Sequence, residues 1–123
     1  MHTSHRICVI DDDPSFRAAM MDFLRSLGHR AEGFASVEEF LISGDARRFA
    51  CLLSDIDLPG IGGLELPSVL ARTGSRVPVV LMSGRTDPAL ARRAAERGAC
   101  GFLPKPCEAA AVIRCLDTAT GRG

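Results

Sequence analysis

Five polar residues stand directly behind short apolar runs, and their types suit phosphate chemistry. Asp11 and Asp12 follow Ile7-Cys-Val-Ile10, and Asp55 follows Cys51-Leu-Leu-Ser54. Ser83 follows the stretch from Val77 to Met82, and Lys105 follows Gly101-Phe-Leu-Pro104. Three carboxylates brought within a few ångströms repel one another, and without compensation at least one pKa rises. A hard divalent cation removes that conflict. Mg²⁺ takes oxygen ligands, uses one or two carboxylates, and leaves positions for water and for phosphate oxygens. An aspartate can act as the nucleophile and form an acyl phosphate. Phosphoryl transfer then needs little beyond positioning and charge stabilisation. A lysine offers a point charge to a phosphoryl oxygen, and a small hydroxyl offers a hydrogen bond. Lys105 stands out for a second reason: fourteen of the fifteen basic residues are arginine, and Lys105 is the one lysine.

These residues cooperate only if the chain gathers the ends of the apolar runs. The runs are nearly all-apolar rather than alternating, as strands buried on both faces of a parallel sheet should be. Arg30 to Ala35 reads as a fifth, weaker extended segment. Helical patterns fill the intervals. Phe16, Ala19, Met20, Phe23, Leu24 and Leu27 recur at spacings of three and four and form one apolar stripe. Asp13-Pro14 reads as the cap and first residue of that helix, and Gly28 as its stop. Ser36-Val-Glu-Glu39 reads as a capping box opening a second helix. A third helix is expected from about Leu64 to Arg72, with Pro67 in its first turn, where unpartnered N–H groups make proline tolerable. Asp87-Pro88 is expected to open a fourth, closing at Gly98, and Glu108 to about Thr118 forms a fifth, with Ala111, Val112, Cys115 and Leu116 inward. Alternating strands and helices predict an α/β protein with a parallel sheet. Short right-handed connections favour the flavodoxin-like (βα)5 three-layer sandwich, sheet order 2-1-3-4-5. Ligands in such sheets bind beyond the carboxyl ends of the strands, at the switch point between strands 1 and 3. Asp11, Asp12 and Asp55 fall there.

Totals narrow the class. A length of 123 residues predicts one domain, and 46% hydrophobic content is enough for a core without staples. No apolar run reaches the length of a membrane span, and the opening MHTSHR lacks the features of a signal peptide. The formal net charge is zero, so no basic field argues for nucleic acid. The five cysteines (Cys8, Cys51, Cys100, Cys107 and Cys115) show no CxxC pair and no zinc spacing. Most lie in apolar stretches and are expected to be buried reduced thiols, which points to the cytoplasm. A redox role for Cys107, beside the Lys105-Pro106 pair, is a minor alternative. His2, His5 and His29 receive no role.

Four stretches carry a resemblance: VIDDDPSFR, LSDIDLPGIGGLEL, VVLMSG and GACGFLPKP, in this order and spacing. Over essentially its whole length the sequence resembles the receiver domains of bacterial two-component response regulators, most of all those that precede a helix-turn-helix output domain. The resemblance implies that Asp55 accepts the phosphoryl group. It implies that Asp12 and Asp55 bind Mg²⁺ (or Mn²⁺) directly, that Asp11 acts largely through water, and that Asp57 adds its main-chain carbonyl. Ser83 would bond the phosphoryl group, Lys105 would pair with it, and Phe102 would turn with Ser83 as the switch aromatic. Pro106 falls at the family's cis-peptide position. Asp57 and Arg85 would set how long the phosphoryl group persists. The implied partners are a sensor histidine kinase, docking near the first helix, and an output domain or downstream regulator, most often transcriptional. A phosphorylation-linked homodimer would use the fourth helix, fifth strand and fifth helix. No contact with nucleic acid or membrane is expected of the domain itself. Residues 1–123 would be a single receiver domain, either whole or the front of a longer regulator, and not an enzyme beyond its own phosphorylation and dephosphorylation.

Two other classes compete. Asp55-x-Asp57 also resembles the DxD of haloacid-dehalogenase-type phosphatases. That motif follows the first strand, however, and here it follows the third, which leaves Asp11 and Asp12 unexplained. A phosphate-independent interaction module would have no need of the acids, the hydroxyl and the lysine together.

Overall fold

The apolar runs pair as parallel strands. The structure is a computed structural model that describes residues 3–121. In chain order the elements are β1 (Arg6–Ile10), α1 (Pro14–Ser26), β2 (Arg30–Phe34), α2 (Val37–Ser43), β3 (Cys51–Asp55), α3 (Leu66–Arg72), β4 (Val79–Ser83), α4 (Leu90–Glu96), β5 (Gly101–Pro104) and α5 (Ala109–Ala119). Short 3-10 turns at Ala46–Arg48 and Gly63–Glu65 lead into β3 and α3. All pairings are parallel and the sheet order is β2-β1-β3-β4-β5. This is the expected flavodoxin-like sandwich.

β3 and β4 are buried along their whole length, and β1 everywhere but Arg6. The period-two geometry of a strand is hidden in these runs, because both faces are apolar. Ile7 and Val9 pack with Met20, Leu24, Val112 and Leu116 from α1 and α5. Cys8 and Ile10 pack with Val37, Phe40, Leu66, Leu70, Leu90 and Ala94 from α2, α3 and α4. The sheet thus has a core layer on each side. Among the described residues, no helix is long and apolar enough to cross a membrane.

The helix starts follow local chemistry. Asp13 Oδ1 accepts from the N–H groups of Ser15 and Phe16, Pro14 is the first helical residue, and Gly28 takes φ 92° past the end. Ser36 Oγ accepts from Glu39 N–H at 3.1 Å. Among the described residues Glu39 returns no bond, so only half of the capping box forms. Three starts fall later than expected: the 3-10 turn at Gly63–Glu65 takes the place of the first residues of α3, which begins at Leu66 rather than about Leu64. β4 begins at Val79 because Pro78 has no N–H to give the ladder; its carbonyl accepts from Leu52 N–H at 2.9 Å. Asp87-Pro88 makes a turn rather than a helical start. Asp87 Oδ1 accepts from Ala89 N–H and its carbonyl from Leu90 N–H, so α4 begins at Leu90.

All five cysteines are free thiols, but only Cys8 and Cys51 are buried; Cys107 and Cys115 are half-buried and Cys100 is exposed. The expectation of general burial fails at Cys100 because it lies in the exposed turn that precedes the edge strand β5. His5 N–H donates to His29 Nδ1 at 3.1 Å, and His2 lies outside the described residues.

Candidate functional site

Register sets which residues meet. Ile10 pairs with Ser54, Asp55 with Met82, and Ser83 with Pro104. The residues at and just beyond these pairs therefore share one edge. Asp11, Asp12 and Asp55 each offer a carboxylate oxygen within 4.8 Å of the others. Asp11 is wholly buried, Asp55 is 7% exposed, and Asp12 faces solvent.

Asp11 is held on every side. Its N–H donates to the Phe34 carbonyl, its Oδ1 accepts from Asp13 N–H (2.9 Å), and its carbonyl accepts from Arg17 Nη1 (2.7 Å). Its Oδ2 accepts from Lys105 Nζ at 2.6 Å. The same ammonium lies 3.3 Å from Asp55 Oδ2 and 4.1 Å from the centre of the Phe16 ring, a cation–π placement. Lys105 is aimed by its own backbone: its N–H donates to the Ser83 carbonyl at 2.8 Å, and the Lys105-Pro106 peptide is cis, as the resemblance implied.

The charges are unevenly balanced. Burial pushes the Asp55 carboxyl above its ordinary value, and the negative charge of Asp11 adds to this. The Asp57 N–H bonded to Asp55 Oδ1 and the Lys105 charge pull the other way without cancelling the rise. Burial works to lower the Lys105 pKa, but the hydrogen bond to Asp11 and the charges of both aspartates outweigh it, and the ammonium is held more tightly than usual. One cation therefore serves two buried carboxylates, and Asp55 remains under-compensated.

Ser83 is wholly buried. Its Oγ accepts from Arg85 N–H at 3.0 Å and donates to Asp57 Oδ2 at 3.3 Å. Asp57 Oδ1 pairs with Arg85 Nε at 3.1 Å. The Asp57 side chain is thus engaged by Ser83 and Arg85 and is not among the clustered carboxylates, so any part it plays at a metal falls to its main chain. Phe102 is half-buried against the core layer of α2, α3 and α4. The loop after β3 runs so close to the site that a Cβ at Gly63 would strike the Asp55 carbonyl.

A hard divalent cation fits the three carboxylates: the oxygens can converge, they are acidic, and Asp12 faces solvent, leaving room for water ligands. The contacts that steady them are not legible in sequence. Phe16 figures there only as part of a core stripe, and nothing singles out Arg17. The Phe16 contact joins α1 to the residue after β5, the Arg17 bond runs back six residues to a main-chain carbonyl, and neither leaves a periodic trace.

The sequence profile of the response regulator receiver domain matches residues 7–117. The chain belongs to this family. A transcriptional regulatory protein of Azorhizobium caulinodans, FixJ, is 36% identical over 122 residues, covering 99% of this chain and 58% of that protein. The nodulation protein W of Bradyrhizobium diazoefficiens is 33% identical over 116 residues, covering 94% of this chain and 51% of that protein. Among solved structures, the response regulator StyR superposes with a TM-score of 0.86 at 31% identity, covering 98% of this chain and 60% of that one. The chain therefore spans about half the length of the curated relatives it matches. It is a signalling domain of two-component response regulators with an acidic cluster compatible with metal binding, and its relatives include transcriptional regulators.

Proposed function

We propose that this receiver domain accepts a phosphoryl group on Asp55 in a Mg²⁺-dependent reaction and passes on the change as a shift in conformation. One observation carries the reading: the Asp11, Asp12 and Asp55 carboxylates converge within 4.8 Å, with the one lysine of the chain reaching the two buried members. Asp12 and Asp55 would hold the ion directly, Asp11 largely through water, and Asp57 through its carbonyl; Mn²⁺ would serve in the same place. Bound there, the ion neutralises the carboxylates and the oxygens of the incoming phosphoryl group.

The donor is a phosphohistidine of a sensor kinase. An Asp55 carboxylate oxygen attacks phosphorus, the new O–P bond forms as the P–N bond breaks, and the imidazole nitrogen leaves with the electron pair and takes up a proton. Lys105 is already within reach of Asp55 and carries its charge to a phosphoryl oxygen. Ser83 leaves Asp57 to donate to another, and Phe102 turns into the space beside it. That is a local electrostatic event read out by a two-state element. An apolar groove of about 570 Å³ between α1 and α5, lined by Phe16, Ala19, Phe23, Pro106, Cys107 and Ala109, lies next to Lys105 and suits a kinase docking beside α1. The readout surface is α4, β5 and α5, through a homodimer, an output domain of the helix-turn-helix kind, or a downstream regulator. The chain acts in the cytoplasm as a single receiver domain, bare or at the front of a longer regulator. Its only catalysis is of its own phosphorylation and dephosphorylation.

Incubation with Mg²⁺ and phosphoramidate, followed by intact mass measurement, tests this. The expected result is a gain of one phosphoryl group that disappears without Mg²⁺ and in Asp55→Asn. Turnover of phosphomonoesters would instead support the phosphatase reading. No adduct, together with no beryllofluoride binding, would leave an interaction module.

A further inference from the structure

Glu38 lies in the first turn of α2, outside the strand-end cluster, and its side chain crosses to the loop between β3 and α3. Its Oε2 accepts from Ile61 N–H at 2.9 Å, across 23 residues of sequence. The approach is close enough to exclude any side chain opposite: Gly60 stands at φ 74°, and a Cβ there would land on Glu38 Oε2. The other oxygen, Oε1, is buried and has no hydrogen-bond partner among the described residues. A buried carboxylate oxygen without a partner is unfavourable. Packing alone would be met better by an apolar side chain, so the use of this carboxylate is the bond it does make.

The tethered loop carries Asp57. Its near and far ends are fixed to β3 and β4, because Ile56 N–H donates to the Met82 carbonyl (2.9 Å), and Leu58 and Gly63 N–H donate to the Ile56 carbonyl (both 3.2 Å). Between them the Gly62 carbonyl accepts from Glu65 N–H at 3.1 Å, but among the described residues no main-chain bond reaches Pro59, Gly60 or Ile61, and Glu38 holds this tip at Ile61. We infer that Glu38 is a positioning residue for the metal site: it fixes Ile61 at the tip of the β3–α3 loop from α2, and through that loop helps to set Asp57, whose main-chain carbonyl the proposed Mg²⁺ reading gives to the ion. This rests on the proposed Mg²⁺ reading of the Asp55 site. Partners that orient a metal ligand from one layer out have large effects when removed, on the order of tenfold or more in metal affinity.

The test is a Mg²⁺ titration of metal-free protein followed by amide chemical shifts, since the chain has neither Trp nor Tyr for fluorescence. Glu38→Ala should weaken Mg²⁺ binding on the order of tenfold, and amide hydrogen exchange should speed up at Ile61 but not in β1 or β3. Glu38→Gln keeps an acceptor oxygen for Ile61 and should restore near wild-type binding, which a merely bulky role for the residue would not require. If Glu38→Ala does not fold, Glu38→Asp, whose carboxylate is withdrawn by one methylene, should show the same weakening. Mg²⁺ affinity equal to wild type in the folded Ala or Asp variant overturns the inference while leaving the Asp55 reading intact. A wild-type protein with no saturable shifts around Asp11, Asp12 and Asp55 contradicts the metal reading, and this inference with it.

Discussion

The two ends of the sheet are finished in opposite ways. At the amino end the chain closes on itself through main-chain bonds: Arg30 N–H to the His5 carbonyl, Ala50 N–H to Arg6, Leu52 N–H to Pro78 and Cys100 N–H to Val79, all between 2.8 and 2.9 Å. Its ion pairs, Arg6–Glu32 at 3.6 Å and Arg48–Glu32 at 3.8 Å, are loose and partly solvated. At the carboxyl end two carboxylates are buried with one ammonium between them, and burial holds Asp55 above its ordinary pKa. The amino end is closed mainly by main-chain bonds, with His5 Nε2 and Glu32 Oε2 buried there without a hydrogen bond among the described residues. At the carboxyl end one ammonium serves two buried carboxylates, and on the proposed reading that imbalance is where binding free energy becomes available for a switch.

The difference can be broken most severely at Lys105. Lys105→Met leaves Asp11 buried without its cation, which should destabilise the fold by about 3 kcal/mol, read from urea melts. Added Mg²⁺ should recover part of the loss. An unchanged melting midpoint would mean that Asp11 does not depend on the lysine.

Mg²⁺ itself comes next. At a hundredfold excess over its Kd it should stabilise the wild-type protein by about 2.7 kcal/mol through mass action. Neutralising the strained member should give a smaller gain in the metal-free state. A folded-state pKa raised above the unfolded one means that ionised Asp55 opposes folding, and that this opposition grows as pH rises through the folded pKa. Asp55→Asn should therefore raise the metal-free melting temperature at pH 7. The advantage should vanish once pH falls below the unfolded-state carboxyl pKa, where Asp55 is protonated in both states. The variant should also lose most of the Mg²⁺ stabilisation.

Much of this contrast was legible in the sequence. Each chemistry-bearing residue stands at the end of an apolar run, and a parallel sheet places all such ends on one edge. Sequence could not show that Lys105 makes its tightest contact with Asp11 rather than Asp55, or that Asp57 turns to Arg85 and Ser83. Those choices depend on a few tenths of an ångström between side chains from different strands. Pro78 and Asp87 moved two element starts through main-chain bonding that apolar patterning does not reveal. Glu38 looks in sequence like an ordinary acidic residue in a first helical turn, and only the folded loop gives it a partner.

The smallest effects sharpen the contrast. Arg85→Ala removes a half-exposed ion pair and should cost about 0.5 kcal/mol or less, yet it frees Asp57 beside Ser83. The phosphorylated lifetime should change while the acceptor stays Asp55, and a lifetime equal to wild type would separate Arg85 from the site. At the amino end, His29→Ala removes an acceptor for His5 N–H and should cost about 1 kcal/mol, with Mg²⁺ affinity unchanged. A shift in that affinity would show that the two ends are coupled.

The central claim is that Asp55, and no other carboxylate of the cluster, carries the phosphoryl group. Protein treated with phosphoramidate and Mg²⁺ can be reduced with borohydride, which converts an aspartyl phosphate to homoserine, and then mapped by peptide mass spectrometry. Homoserine at position 55 alone, absent when Mg²⁺ is omitted, is the predicted result. Homoserine at Asp11, Asp12 or Asp57, or equal labelling without Mg²⁺, would contradict it.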